Sequence, residues 1–256
     1  MSKLGVVVPC YNEVTRLNFA FFEELVERLD CVLIFVDDGS TDGTDKLLEA
    51  KSKILGPETE IFVSQTNRGK AVAISIGLEI AMKKQIKSLI FCDADNSLSV
   101  DDIDCLYRKF IDHPGLDIVS GARVPLAGSN VVRRDFRKWI GRIVATIVSR
   151  MTNIAIYDPM SPLKIYNLDR LNKGSGYTPS TRWLGEVELM FYSYNIDRKS
   201  FRIEELPLDY WRDQEGGHIG IHSAFTLLRD FIKLRKKILD LGDKPHLIHR
   251  SIRANN

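Results

Sequence analysis

Nowhere does the 256-residue chain hold the roughly 18 uninterrupted apolar residues that crossing a bilayer requires. Its opening stretch, MSKLGVVVPCYNE, breaks into proline and polar side chains after a few apolar positions, which fits neither a signal peptide nor a span. Any membrane contact is therefore expected to be peripheral. Cysteine is scarce as well. The four, at positions 10, 31, 92 and 105, form no CxxC pair, which argues against structural zinc and for a reducing, cytoplasmic compartment. An excess of charge is also missing: 36 Lys and Arg against 34 Asp and Glu leave +2. That balance is too even for the protein as a whole to bind polyanions, so no nucleic-acid partner is expected and any basic patch is local. Neither GxxxxGK[ST] nor GxGxxG follows the first apolar run, where Val6-Val7-Val8-Pro9 leads into Cys10-Tyr11-Asn12-Glu13. A P-loop enzyme and a dinucleotide-dependent dehydrogenase are thereby disfavoured. There is no internal repeat and no low-complexity segment.

What is present is an ordinary globular composition, 44% hydrophobic and 27% charged, over a length that can bury one large core. Apolar runs enriched in β-branched residues occur at 4–8, 32–36, 61–64, 88–92 and 118–120. Helical periodicity fills 17–29, 44–54, 70–84 and 100–110 between them. Short strands apolar throughout and separated by helices predict an α/β fold, with a mostly parallel sheet covered on both faces. Ligands bind such sheets in the crevice at the carboxyl ends of the strands. Four polar clusters fall there: 9–13, 37–44, 65–70 and 93–96. Ser40, Thr41, Asp42 and Thr44 read equally well as turn and helix-capping residues.

The fourth run, SLIFCDADNS, ends in Asp93 and Asp95, one residue apart. Two carboxylates so placed repel unless a cation or donors stand between them. A hard divalent ion, Mg²⁺ or Mn²⁺, that shares its remaining positions with substrate phosphates satisfies that arrangement. A lone DxD is common in turns; its place at a strand tip, with Asp37-Asp38 ending another strand, gives it weight. Beyond residue 125 the alternation stops. Residues 130–156 read as one long amphipathic helix, with Arg133, Arg134, Arg137, Lys138 and Arg142 in its first half beside Trp139 and the run IVATIVS. Its basic side is either a solvated face or a surface for phosphate groups or anionic lipid. Short strands and loops fill 157–223, a second amphipathic helix rich in Lys and Arg fills 224–240, and 241–256 read as a loosely ordered tail.

VVVPCYNE, VDDGSTDGT, NRGKAVAISIGLEIA and CDADNSLSVDDI, in this order, resemble the nucleotide-sugar domain of the inverting family 2 glycosyltransferases, which include dolichyl-phosphate mannose and glucose synthases. SGARV, YDPMSPLKIYN and EELPLDYWRDQEGGHI extend the resemblance across roughly residues 4–240, closest to polyprenyl-phosphate glucosyltransferases. The resemblance implies a GT-A type fold with C-terminal amphipathic helices. It implies a single domain over 1–240, in which 1–124 bind the nucleotide sugar and 125–240 the acceptor. Pro9, Tyr11 and Glu13 would line the base and ribose pocket, Asp38 would contact base or ribose, and Lys70 would sit near the nucleotide or its phosphates. Asp93 would lie beside the donor ribose and sugar, and Asp95 would hold Mg²⁺ or Mn²⁺ on the diphosphate. Arg123 is the candidate for stabilising the departing diphosphate, and Arg133 and Arg134 for meeting the acceptor. Glu186 and Glu188 are both candidates for the acidic residue near the acceptor, and the family pattern leans to Glu188. His218 stands where relatives show Ser-Lys; it is read as a metal ligand, a phosphate contact in a closing loop or an exposed side chain. Pro162 and Leu163 likewise replace the usual glycine and aromatic before Lys164.

The implied reaction moves a hexose from a nucleotide-diphosphate sugar, UDP-glucose favoured over GDP-mannose, to a polyprenyl or dolichyl phosphate at the cytoplasmic face of a membrane. A glycan or protein hydroxyl is the alternative acceptor. A hydroxyl needs a general base, whereas a phosphate is already an anion and needs cations to hold it. A nucleotidyltransferase would share the metal and the sheet but needs a Gly-rich, basic loop after the first strand, which is missing. Intact Asp93, Asp95 and an acid at 186 or 188 argue against a binding protein without turnover.

Overall fold

The computed structural model describes residues 4–95, 97–132, 135–174, 176–212 and 221–240, with side chains at all of these except 135–138 and 221–224. In its first half, strand and helix alternate: β1 (Leu4–Cys10), α1 (Phe19–Leu29), β2 (Cys31–Asp37), α2 (Thr44–Ser52), β3 (Glu60–Val63), α3 (Lys70–Lys83), β4 (Ser88–Phe91), α4 (Val100–Asp112) and β5 (Ile118–Ala122). The second half carries β6 (Asn130–Val132), α5 (Asp135–Thr152), β7 (Lys164–Asn167), α6 (Leu168–Leu171), α7 (Gly185–Ile196), β8 (Ile203–Pro207), β9 (Tyr210–Arg212) and α8 (Ile221–Asp240).

Seven strands form one sheet in the order β3-β2-β1-β4-β7-β5-β8. All neighbours pair in parallel except β7, which runs antiparallel to both β4 and β5. Every residue of β2, CVLIFVD, is buried, as a strand covered on both faces requires. Alternation of side chains along β1 divides the interior in two. Val7 packs with apolar residues of α3, α5, α7 and α8, while Val6 and Val8 pack with those of α1, α2 and α4. The register brings the tips of neighbouring strands level, with Cys10 opposite Asp37 and Asp37 opposite Val63. The loops that follow them consequently face one crevice.

The segment 130–156 departs from a single helix. Residues 130–132 pair instead with β9 in a small parallel sheet, Asn130 opposite Tyr210, and Asn130 N donates to Asp209 O at 2.7 Å. Two successive valines suit that extended pairing, and the helix begins only at Asp135.

Candidate active site

The loop after β1 is stitched to the loop after β2. Asn12 N donates to Ser40 Oγ at 2.8 Å, Glu13 N to Thr44 Oγ1 at 2.9 Å and Val14 N to Asp42 Oδ2 at 3.1 Å. Thr41 N returns a bond to the Asn12 side chain at 2.9 Å. The turn residues Ser40, Asp42 and Thr44 thus fix the backbone that carries Tyr11 and Glu13. Asp38 accepts from Arg68 N at 2.9 Å and Gly69 N at 2.6 Å, and so holds the loop that opens α3. Gly69 has φ +100°, and a Cβ there would lie 2.5 Å from Cγ of Arg182. The chain needs glycine at that point.

These loops enclose a cavity of about 420 Å³. Pro9, Tyr11, Glu13 and Asp38 line it from the ends of β1 and β2, Lys70 from the start of α3, and Asp93 and Asp95 from the loop after β4. Asn67, Arg182 and Trp183 complete the wall. Lys70 Nζ lies 2.6 Å from Asp93 and 3.2 Å from Glu186, whose other carboxylate oxygen is 3.3 Å from the fully buried Lys164 Nζ. Charges of alternating sign therefore run from Asp93 through Lys70 and Glu186 to Lys164. Burial disfavours the Lys70 ammonium, but Asp93 and Glu186 outweigh it and hold its pKa above the ordinary lysine range. Burial and the neighbouring Asp93 push the Asp95 carboxyl up. Glu13 rises to about 7, chiefly through burial.

The two glutamates of α7 part company. Glu186 reaches Lys70, whereas Glu188 is buried beneath the loop before the helix, where Ser180, Thr181 and Lys237 donate to it. Positions 186 and 188, two residues apart on a helix, lie on different faces, and Gly185 decides which face meets α3. A Cβ at 185 would come within 2.5 Å of Ala71 Cβ, so the helices touch there and Glu186 is set behind Lys70. Of the two acidic candidates, Glu186 is thus the one in contact with a cavity-lining residue, and Glu188, toward which the family pattern leans, is bonded to Lys237 instead. Arg123 does not line the cavity either: its Nε and Nη2 grip Asp158 at 2.7 and 2.9 Å, and its guanidinium lies 4.8 Å from the Trp211 ring. Arg133, Arg134 and His218 lie outside the described residues. The candidates drawn from the strand ends come together around the cavity, Glu186 joins them through Lys70, and Glu188 and Arg123 are bonded elsewhere. Arg182 and Trp183 are not recognisable as site residues from the sequence, because a loop without periodicity carries no local sign that it closes over a distant pocket.

A divalent ion is tested by its donors. Glu13 Oε2 is buried with no hydrogen-bond partner among the described residues, and its carboxyl is raised partly by Asp95 and Asp93. Acidic oxygens crowded in this way suit a hard cation. Among the described residues no three His, Cys, Asp or Glu converge as a closed metal cage. The donor set thus fits an ion held on one or two carboxylates that takes its other ligands from phosphate and water.

The family model for Glycosyl transferase family 2 matches residues 5–174, which include the whole strand-end cluster. The chain belongs to that family. As a family 2 glycosyltransferase it is similar to a dolichyl-phosphate beta-glucosyltransferase of Saccharomyces cerevisiae, 26% identical over 256 residues that span 92% of this chain and 73% of the relative. An undecaprenyl-phosphate 4-deoxy-4-formamido-L-arabinose transferase of Pseudomonas aeruginosa is 28% identical over 172 residues, covering 64% of this chain and 46% of that protein. Among solved structures, glucosyl-3-phosphoglycerate synthase from Mycobacterium tuberculosis superposes with a TM-score of 0.66 at 16% identity, over 95% of this chain and 82% of that one. The fold is the GT-A fold.

Proposed function

We propose that this glycosyltransferase transfers a hexose, with inversion, from a UDP-glucose-like donor to a polyprenyl phosphate at the cytoplasmic face of a membrane. The observation that carries the donor half is the single cavity on which Pro9, Tyr11, Glu13, Asp38, Lys70, Asp93 and Asp95 converge. Residues 1–124 supply most of that donor site, and 125–240 add Arg182, Trp183 and the helices on the acceptor side. The yeast relative named for glucosyl transfer to dolichyl phosphate matches nearly the whole chain, which supports the sugar and the acceptor class. Crystals of the mycobacterial neighbour hold UDP with Mn²⁺ or Mg²⁺, which supports a divalent ion here.

Asp95, with Asp93 beside it, would hold that ion, which when bound supplies positive charge to the leaving diphosphate. Tyr11 and Pro9 flank the base and ribose. Asp38 keeps the Arg68-Gly69 backbone in place and Lys70 keeps Asp93 aimed at the sugar. An acceptor phosphate oxygen attacks the anomeric carbon opposite the diphosphate. That bond forms as the bond to the diphosphate oxygen breaks, the electron pair leaves on UDP, and the configuration inverts. No proton has to be removed from a phosphate acceptor. Glu186 agrees with such an acceptor, since both its oxygens already meet lysine ammonium groups.

Two helices support a lipid acceptor. α5 exposes Trp139, Ile143 and Ile147; α8 exposes Phe225, Leu228, Ile232 and Leu239, among exposed Arg229, Lys233, Arg235 and Lys236. Among the described residues no helix is long and apolar enough to cross a membrane. The test supplies UDP-glucose, Mn²⁺ and a polyprenyl phosphate to the purified protein. Expected are UDP release and a glucosylated lipid, both reduced on the order of 100-fold or more by Asp95→Ala, as befits loss of several kcal/mol of charge stabilisation. Turnover with a glycan or peptide hydroxyl but not with the lipid phosphate would overturn the acceptor assignment.

A further inference from the structure

Among the described residues the cavity is lined by four carboxylates, Glu13, Asp38, Asp93 and Asp95, but by only two cations, Lys70 and Arg182. A substrate that brings phosphate into such a site needs positive charge to meet it. Lys70 is already committed to Asp93 and Glu186. Arg182 is not: among the described residues its guanidinium meets no carboxylate, and its Nη2 donates to the neutral side-chain oxygen of Asn67. A planar guanidinium presents paired donors that match phosphate oxygens.

The backbone that carries Arg182 is anchored in an unusual way. Ser180 N and Thr181 N donate to Glu188 at 2.9 and 3.0 Å, and Arg182 N and Trp183 N donate to Asp230 Oδ2 at 2.9 and 2.6 Å. Four successive N–H groups thus end on two carboxylates that are 1% and 2% exposed. Lys237, two turns beyond Asp230 on the same face of α8, also donates to Glu188 at 2.5 Å. On the cavity side, Ala71 N donates to Arg182 O at 3.3 Å, and the Arg182 stem lies over Gly69. Water satisfies the N–H groups of an ordinary surface turn, so buried carboxylates are not needed to hold one. Here they fix the direction of two side chains that face the cavity.

We propose that Arg182 is a phosphate-binding residue of this site and that Asp230, through its two backbone bonds, is the positioning residue that aims it. The inference rests on reading the cavity as a nucleotide-sugar site. The phosphate belongs either to the donor diphosphate or to the acceptor, and the two sources are separable. In calorimetric titrations with Mn²⁺ present, wild-type protein is expected to bind UDP more tightly than uridine. A donor contact predicts that Arg182→Ala shrinks this preference on the order of 10- to 100-fold while uridine affinity holds, with partial recovery in Arg182→Lys. An acceptor contact predicts an unchanged preference and a rise of about tenfold or more in KM for polyprenyl phosphate. Asp230→Asn, nearly isosteric, is expected to move the same quantity in the same direction by a smaller factor. An Arg182→Ala protein with both quantities unchanged overturns the inference, and an unmoved Asp230→Asn protein overturns the positioning role. Wild-type protein that binds no UDP removes the donor reading itself, and the inference with it.

Discussion

Glu13 is where the chemistry of one side chain bears most directly on stability. Burial raises its pKa, Arg16 at 2.5 Å opposes that, and Asp95 and Asp93 add to it, leaving a value of about 7 against an ordinary 4.5. The unfolded chain loses this proton near pH 4.5 and the folded chain only near 7. Between those values the native state binds more protons, so stability falls as pH rises through the window, by at most roughly 3 kcal/mol from this group. Glu13→Gln removes the titration. In buffer freed of divalent ions, the melting temperature of the variant relative to wild type is expected to rise from pH 5 to pH 8. A gap that stays constant or narrows would mean that Glu13 is already ionised in the folded protein at pH 5. A site poised in this way gains from a cation that relieves the repulsion, which is the property a metal-dependent donor pocket needs.

Between elements, the contact of α7 with α3 sets the charge chain behind the cavity. A methyl group at 185 would meet both Cβ and Cα of Ala71, at 2.5 and 2.7 Å, and backbone yields less readily than a side-chain tip. Gly185→Ala is therefore expected to push α7 away and to part Glu186 from Lys70. Thermal unfolding should show a loss of about 1–3 kcal/mol, the usual cost of overpacking, and kcat should fall further than the helix itself is destabilised. Unchanged kcat in a folded variant would show that the Lys70–Glu186 contact is dispensable. The same elements explain what could be read in the sequence. A parallel strand buried on both faces leaves an unbroken apolar run, so Asp38, Asp93 and Asp95 stood out at the tips of β2 and β4 and their gathering was foreseeable. β7 was not, because it opens with Lys164, a cation that is buried only because Glu186 and Ser161 O receive it. Nor does any local pattern join Arg182 to Asp230, 48 residues later. The choice between Glu186 and Glu188 likewise depends on how α7 is rotated against α3, which a motif does not specify.

At the scale of the molecule, a formal charge of +2 gives no general attraction to an anionic surface, so any docking must come from how charge and apolar area are arranged. α5 and α8 pack together, and both leave large apolar side chains uncovered: Trp139 is 73% exposed, Phe225 64% and Ile232 62%. On α8, Phe225, Leu228, Ile232 and Leu239 recur along one side, whereas Asp230, Leu234 and Ile238 are buried on the other. Exposed Arg142, Arg150, Arg229, Lys233, Arg235 and Lys236 flank the apolar groups. Each basic residue near an acidic bilayer contributes about 1 kcal/mol, and neither charge nor apolar area alone holds a protein there, so both are required together. Vesicles that contain acidic phospholipid should therefore sediment the protein, neutral vesicles should do so poorly, and salt at several hundred millimolar should release it. The double variant Phe225→Glu, Ile232→Glu should lose vesicle binding while it keeps wild-type affinity for UDP. It should also glucosylate polyprenyl phosphate normally in detergent but slowly in vesicles, because only the meeting of enzyme and acceptor is impaired. Equal loss in detergent and vesicles would place these side chains in the fold of the catalytic unit, and docking would then have to reside elsewhere on the chain.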